Sequence, residues 1–431
     1  MFRKALVLTS LILVISVSQA KATVYSNWDG GGDDNSWSDA DNWDPNIVPH
    51  GDFEVYIKDA EVEIKQDRII NSLHTSGEVS FGCWNSFYDP TLTFTNPLGL
   101  TNEGVLRLEN IEFSGSFTNE DNAFLVMDEV TGDISIEGNF INNGSVFVSS
   151  PCPVLSTEGV EGSFINNGKM HLQNALVTSG ETDANMVNAE GAVIWGSGTV
   201  FTENALVNSG RIISSSGALQ IHVHEIVINN VKGILETMSG SSLCISSAFF
   251  ANISKQMTNN GTIMIAPDSA VTFVEDRLWD PGLLSDCTLV NDANGNIQLQ
   301  GGTLAAATIV QVADANFVGF GKIHGDVYIE PNGLIKLTGP TNVVGDVEIG
   351  TAATLEVSDG LTLITGQTTC NGTIHMKGGY IIPQGGLSGA CNIIWEPGIY
   401  TNVADFNLDG RVNFKDFAYF ANTWLWESGW L

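Results

Sequence analysis

Positive charge is scarce in this chain. Lysine and arginine together number 17, against 49 aspartates and glutamates in 431 residues, a formal net charge of −32. That balance argues against nucleic acid as a partner, because phosphate recognition rests on clustered Lys and Arg. Long apolar runs are missing after residue 20, so nothing in the remaining chain matches the roughly 20 apolar residues of a membrane-spanning helix. Helical periodicity is nearly absent before residue 400, which excludes a helical bundle. The six cysteines, at 83, 152, 244, 287, 370 and 391, follow no zinc spacing. G-x-S-x-G, H-E-x-x-H and P-loop signatures are all lacking.

What is present begins with an export signal. Arg3 and Lys4 precede an apolar run from Ala5 to Val17, and Ser18-Gln19-Ala20 supplies the small residues of a cleavage site. Residues 1–20 therefore read as a signal peptide, which implies an extracellular or cell-surface protein with no transmembrane segment in its mature chain. Export also permits disulfides. Cys370 and Cys391 lie about one repeat apart and would meet on adjacent coils; buried thiols are the other reading.

The body repeats one phrase: an apolar residue, a β-branched or apolar residue, Asn, and then usually a Gly-containing turn. It recurs from Leu100-Thr101-Asn102 and Phe117-Thr118-Asn119 through Phe140-Ile141-Asn142, Phe164-Ile165-Asn166, Met186-Val187-Asn188, Leu206-Val207-Asn208, Val227-Ile228-Asn229 and Met257-Thr258-Asn259 to Leu289-Val290-Asn291. The Asn residues are 17, 23, 24, 22, 20, 21, 30 and 32 apart. A second phrase, Gly325-Asp326-Val327-Tyr328-Ile329, returns as Gly345-Asp346-Val347-Glu348-Ile349. Such a period means stacked units. The local alternation, as in Thr262-Ile263-Met264-Ile265, makes those units strands.

A unit of about 20 residues cannot bury its own apolar face, and coiling with stacking solves this. The expectation is an all-β, right-handed parallel β-helix of 20–24-residue coils over residues 61–395. About 13 to 15 coils would give a rod roughly 65 to 70 Å long. The repeated Asn residues would then lie above one another and join their amides in a ladder. A β-sandwich array or a propeller is the alternative, although a propeller blade needs twice this period. The wide Asn spacings mark insertions, expected at Ser239–Ser254 and Pro267–Pro281.

Residues 21–60 read as a cap with first strands. Three tryptophans (Trp28, Trp37, Trp43) and six aspartates fall between Trp28 and Asp44. The segment Trp28-Asp29-Gly30-Gly31…Trp37-Ser38-Asp39-Ala40-Asp41-Asn42-Trp43 resembles a start segment of exported, planctomycete-like bacterial repeat proteins, a likeness over less than a tenth of the chain. Three readings stand: a cover for the first coil, an aromatic platform for sugar, and a second cation site.

The sharpest chemistry lies near the C-terminal end of the sequence. Asp405-Phe406-Asn407-Leu408-Asp409-Gly410-Arg411-Val412-Asn413-Phe414-Lys415-Asp416 has the form of a calcium loop. Its ligands would be Asp405, Asn407, Asp409, the Arg411 carbonyl, Asn413 and Asp416, with Gly410 at the sharp turn. Phe414, Phe417, Ala418, Ala421, Trp424 and Leu425 then mark the apolar stripe of a short helix. The segment 396–431 resembles one half of a dockerin, a calcium-binding module of the EF-hand type that attaches secreted proteins to cohesin-bearing partners. The resemblance implies Ca2+ as cofactor and a cohesin-like or surface protein as partner. Two departures qualify it: the calcium repeat is single where dockerins carry two, and Phe414 and Lys415 stand where small hydroxyl residues are usual.

No catalytic set can be picked from the sequence. His222-Val223-His224-Glu225 places two histidines on one strand face. That pattern fits a solvated face better than a metal or catalytic centre. The function expected is a secreted or cell-surface scaffold or adhesion protein, attached through residues 396–431. The alternative is a polysaccharide-degrading enzyme, lyase or glycosyl hydrolase, delivered by the same tag.

Overall fold

The computed structural model describes residues 24–83, 90–109, 111–127, 134–149, 154–158, 163–179, 185–248, 256–276 and 287–396. Among these the chain is almost wholly β, with 39 strands joined in one continuous hydrogen-bonded surface. They build a parallel β-solenoid of about 14 turns. A short 3-10 turn at Ala40–Asn42 is the sole helical piece among the described residues. The calcium loop, its following helix and the signal peptide lie outside them.

Each turn of the solenoid crosses three sheets. The middle of the chain shows the pattern: Phe164–Asn166 lies in the first sheet, Asn167-Gly168 turns the corner, and Lys169–Ser179 runs through the second sheet and bends into the third. The bend falls where the register to the next coil shifts, between Gln173 and Ala175, with Asn174 at a φ of 53°. The following coil repeats the path in Met186–Asn188 and Val193–Thr202. Pairing is parallel throughout, except that Val24–Trp28 runs antiparallel to Trp43–Asp44.

The sequence phrase explains the first sheet. In Phe140-Ile141-Asn142 the outer two side chains point in and the middle one points out, a buried–half-buried–buried pattern that recurs coil after coil. The apolar position stacks into the core: the rings of Phe117 and Phe140 lie 5.3 Å apart, and those of Phe140 and Phe164 4.7 Å apart. Met186, Leu206, Met257 and Leu289 continue the same row in register.

The Asn position forms the expected ladder. Asn102 Nδ2 donates to Asn119 Oδ1 at 2.8 Å, and the bond repeats at 2.7–2.8 Å through Asn142, Asn166, Asn188, Asn208, Asn229 and Asn259 to Asn291. Thr75 Oγ1 donates to Asn102 at one end (2.9 Å). At the other, Asn291 donates to Gln311 Oε1 (2.8 Å), whose own amide donates to the Ala315 carbonyl (2.7 Å). Every member is buried. A buried primary amide is tolerable only when both its donor and its acceptor are satisfied, and stacking like on like satisfies both at once.

Beyond Gln311 the row turns apolar, as Ile329, Ile349 and Cys370. There the second phrase takes over. Val327 and Ile329 register with Val347 and Ile349, while Asp326 Oδ1 accepts the Asp346 N–H (2.8 Å) and Asp346 Oδ1 accepts that of Gln367 (2.7 Å). Gly325 holds a φ of +127° and lies so close to the Ala306 carbonyl that a Cβ would collide with it, so the phrase must begin with glycine.

Two expectations change in detail. The insertions assigned to Ser239–Ser254 and Pro267–Pro281 are largely regular: Ser242–Ala248 and Ala270–Asp276 are strands of the third sheet, paired in register. The extra length therefore sits in 249–255 and 277–286, outside the described residues. Cys370 and Cys391 form a disulfide between adjacent coils, with Cα atoms 4.9 Å apart.

Candidate functional site

The histidine strand lies in the third sheet, on the coil before the two wide spacings. His222 and His224 share one half-buried face, as the two-residue period requires. They do not converge. His222 Nδ1 shares a hydrogen bond of 2.6 Å with Ser246 Oγ one coil on. His224 Nδ1 lies 2.5 Å from Glu203 Oε2 one coil back and packs against Phe201. Glu225 is exposed and engages neither ring, its backbone N–H donating to the Asn204 carbonyl. The arrangement is two separate inter-coil pairs. Among the described residues no group of three or more His, Cys, Asp or Glu could hold a metal ion.

Residues on the outside of the second sheet form one row along the rod. In its middle stand Phe147, His171 and Trp195, with ring centroids 5.2 and 5.0 Å apart; the imidazole and indole are nearly parallel at 6°. Burial holds the His171 imidazole below its usual range. The His171 and Trp195 rings are stacked, while Phe147 is tilted against His171 at 49°.

Further along the same row Lys336, Glu356 and His375 follow in register. Glu356 is only 8 % exposed and is held by Lys336 (3.1 Å) and by Lys377 (3.0 Å), with Ser358 Oγ donating to it at 2.9 Å. Burial pushes this carboxyl up, but the hydrogen bonds from Lys377, Ser358 and Lys336 outweigh it and hold it below the ordinary carboxylate range. His375 Nε2 stands 3.1 Å from Glu396 Oε1, off the direction of a true hydrogen bond. Sequence reading missed this cluster. The signal was there: Lys336, Glu356 and Lys377 are spaced by one coil each.

Near the N-terminal end, Asp59, Glu61, Glu78 and Arg107 line an open, shallow depression at the edge of the second sheet. Arg107 Nε lies 3.5 Å from Glu78 Oε1, and the Glu78 N–H donates to Asp59 Oδ1 at 3.1 Å. A second depression beside it is lined by Trp28, Tyr56, His74 and Glu103, with Tyr56 and His74 stacked at 4.8 Å.

The outward row of the first sheet is different again. From Thr101 and Thr118 through Ile141, Ile165, Val187, Val207 and Ile228 to Thr258, Val290 and Val310, every residue is β-branched and half-buried. It forms a stripe one side chain wide along most of the rod.

Two of the three tryptophans of the first segment point inward, and Trp28 is half-buried beside them. Trp37 and Trp43 are fully buried and meet at 4.7 Å, with Trp28 edge-on to Trp43 at 5.0 Å. Trp43 Nε1 donates to the Trp37 carbonyl at 2.9 Å. The buried rings of Trp37 and Trp43 offer no stacking platform to a sugar. Three of the six aspartates serve the backbone: Asp29, Asp34 and Asp39 each accept an N–H two residues on, at 3.0, 2.9 and 3.0 Å. Asn42 ties the segment together, accepting from Gly32 N (2.9 Å) and donating to the Asp34 (2.7 Å) and Ser36 (3.0 Å) carbonyls.

The six ligands read from the sequence, Asp405, Asn407, Asp409, Arg411, Asn413 and Asp416, all lie outside the described residues. Comparison with protein-family models, curated proteins and solved structures finds no match to the chain.

Proposed function

We propose that this protein is an exported scaffold or adhesion protein of the cell surface or matrix, built on a right-handed β-solenoid and attached through a calcium-binding, dockerin-like segment at residues 396–431. The observation that carries this reading is the outward β-branched stripe of the first sheet, backed residue for residue by the buried Asn ladder. A long single row of half-buried Ile, Val and Thr suits extended contact with another surface. Its residues carry no ionisable acid or base. The partner at the calcium segment is a cohesin-like or surface protein, with polysaccharide as a further binding partner.

The acidic depression of Asp59, Glu61, Glu78 and Arg107 favours a second reading. Glycoside cleavage uses paired carboxylates, and lyases a basic group that takes a proton. Incubating the mature chain with acidic and neutral polysaccharides, with calcium and with chelator, separates the two. Binding without cleavage is the expected result; reproducible cleavage abolished by Glu61→Gln or Glu78→Gln would replace the scaffold reading. Calorimetric titration of the full mature chain with calcium tests the ligand set: the wild type should release or absorb heat at one site, and Asp409→Ala should not.

A further inference from the structure

The outward row of the first sheet changes character at its N-terminal end. From Thr101 it continues in register as His74, Tyr56 and Asn27. Where the rest of the row is β-branched, this end is aromatic. Tyr56 and His74 lie 4.8 Å apart and nearly parallel, and Tyr25 leans on Tyr56 at 6.1 Å. Tyr56 is 37 % and Tyr25 56 % exposed. The Tyr56 hydroxyl donates to Glu54 Oε2 at 3.3 Å, which steadies the ring. Trp28, half-buried, closes one side of a depression whose polar lining is Asn27, Lys58 and Glu103. Its volume is about 150 Å³. At the bend Lys58–Asp59 it meets the larger acidic depression of Asp59, Glu61, Glu78 and Arg107.

We propose that this depression binds a sugar ring of an uncharged polysaccharide whose chain runs on toward the acidic depression. Aromatic rings supply an apolar surface for the C–H face of a sugar, and a few placed polar groups fix its orientation. Asn27, Lys58 and Glu103 offer an amide, an ammonium and a carboxylate, which pair with the hydroxyls of that ring. Other occupants fit less well. An extended peptide adds to an unpaired strand edge, and the strands carrying Tyr56 and His74 are paired on both sides. An acidic glycan meets Glu54, Asp59, Glu61, Glu78 and Glu103, which outnumber Lys58 and Arg107 here, and like charges repel it. The inference rests on the polysaccharide partner of the scaffold reading and gives that partner a place and a charge class.

Calorimetry of the full mature chain against cellohexaose, xylohexaose and chitohexaose, with an oligogalacturonate of the same length, tests it. At least one neutral oligomer should bind, about tenfold or more tighter than the oligogalacturonate. Tyr56→Ala and the exposed-site variant Glu103→Ala should each weaken that binding about tenfold, while Tyr56→Phe, which keeps the ring, retains most of it. Hydrogen exchange of Arg211–Val223, unchanged in every variant, serves as the folding control. If no neutral oligomer binds, the site and the polysaccharide partner fall together. If one binds and both alanine variants keep full affinity, the site alone is overturned. Tighter binding of the oligogalacturonate would overturn the proposal through its charge class.

Discussion

At the scale of the residue, the buried amide is the decisive choice. Asn166 accepts from Asn142 and donates to Asn188, at 2.7 and 2.8 Å, in a core it shares with Phe and Ile. Replacing it with Ala strands a donor above and an acceptor below. Each unsatisfied buried group costs about 1–3 kcal/mol, so Asn166→Ala should destabilise by about 3 kcal/mol in urea unfolding. Asn166→Asp keeps the shape but loses the donor, and sets a carboxylate against the Asn188 oxygen. It should cost at least as much at pH 7 and recover partly in acid, once the carboxyl is protonated. A near-neutral Asp variant at pH 7 would mean that water enters the row.

Glu356 makes a second prediction at this scale. Its carboxyl titrates lower in the fold than in the unfolded chain, because the bonds from Lys377, Ser358 and Lys336 exceed the cost of burial. A depressed carboxyl stabilises the fold above its unfolded value, and that contribution is lost as pH falls through the folded value. Glu356→Gln should therefore destabilise the wild-type coil at neutral pH and flatten the acid limb of stability between the ordinary Glu range and lower pH. The melting temperature measured across that window checks it; parallel acid limbs for variant and wild type would refute the assignment.

At the scale of the element, the phrase was legible because one short string does three jobs. The apolar residue fills the core, the β-branched residue faces out, and Asn joins the ladder. All nine Asn positions read from the sequence stand in that ladder, and the one-coil spacing of Cys370 and Cys391 became a bond. The ladder's ends were not legible. Thr75 and Gln311 perform the same bonding with different letters, and a phrase defined by Asn cannot register them. The pairs His224 with Glu203 and His222 with Ser246 were missed because each partner sits one coil away, where local motifs do not reach.

The disulfide belongs to this scale too. It closes a loop of one coil, separation 21, for which loop-closure entropy is worth about 3 kcal/mol. Reduction, or Cys391→Ser, should raise hydrogen exchange in Asn392–Trp395 while leaving Leu334–Val344 protected. Equal loosening of both strands would show that the last coils unfold as one unit.

At the scale of the whole molecule, the strands pair with the coil above and the coil below, so stability accumulates along one dimension. The sequence could reveal that period but not how exposed Leu387 and Trp395 are, because that depends on which layers stack over them in space. The same one-dimensionality makes a quantitative claim about the ladder. Asn166→Ala and Asn188→Ala break one shared bond, Asn166 Nδ2 to Asn188 Oδ1, which can be lost only once. Their combined cost in urea should fall short of the sum by about 1–2 kcal/mol. Asn166→Ala with Asn291→Ala breaks bonds several coils apart, with no shared partner. Those two costs should add to within about 0.5 kcal/mol. Because a long solenoid need not unfold in one step, hydrogen exchange read strand by strand is the stricter measure. It should place the loss near Phe140–Asn208 for the first pair and at two separate stretches for the second. Strong coupling between Asn166 and Asn291 would mean that the amide chain acts as one polarised unit over its whole length, with each bond strengthened by the others, and nearest-neighbour stacking would then be too simple an account of the forces that hold the rod together.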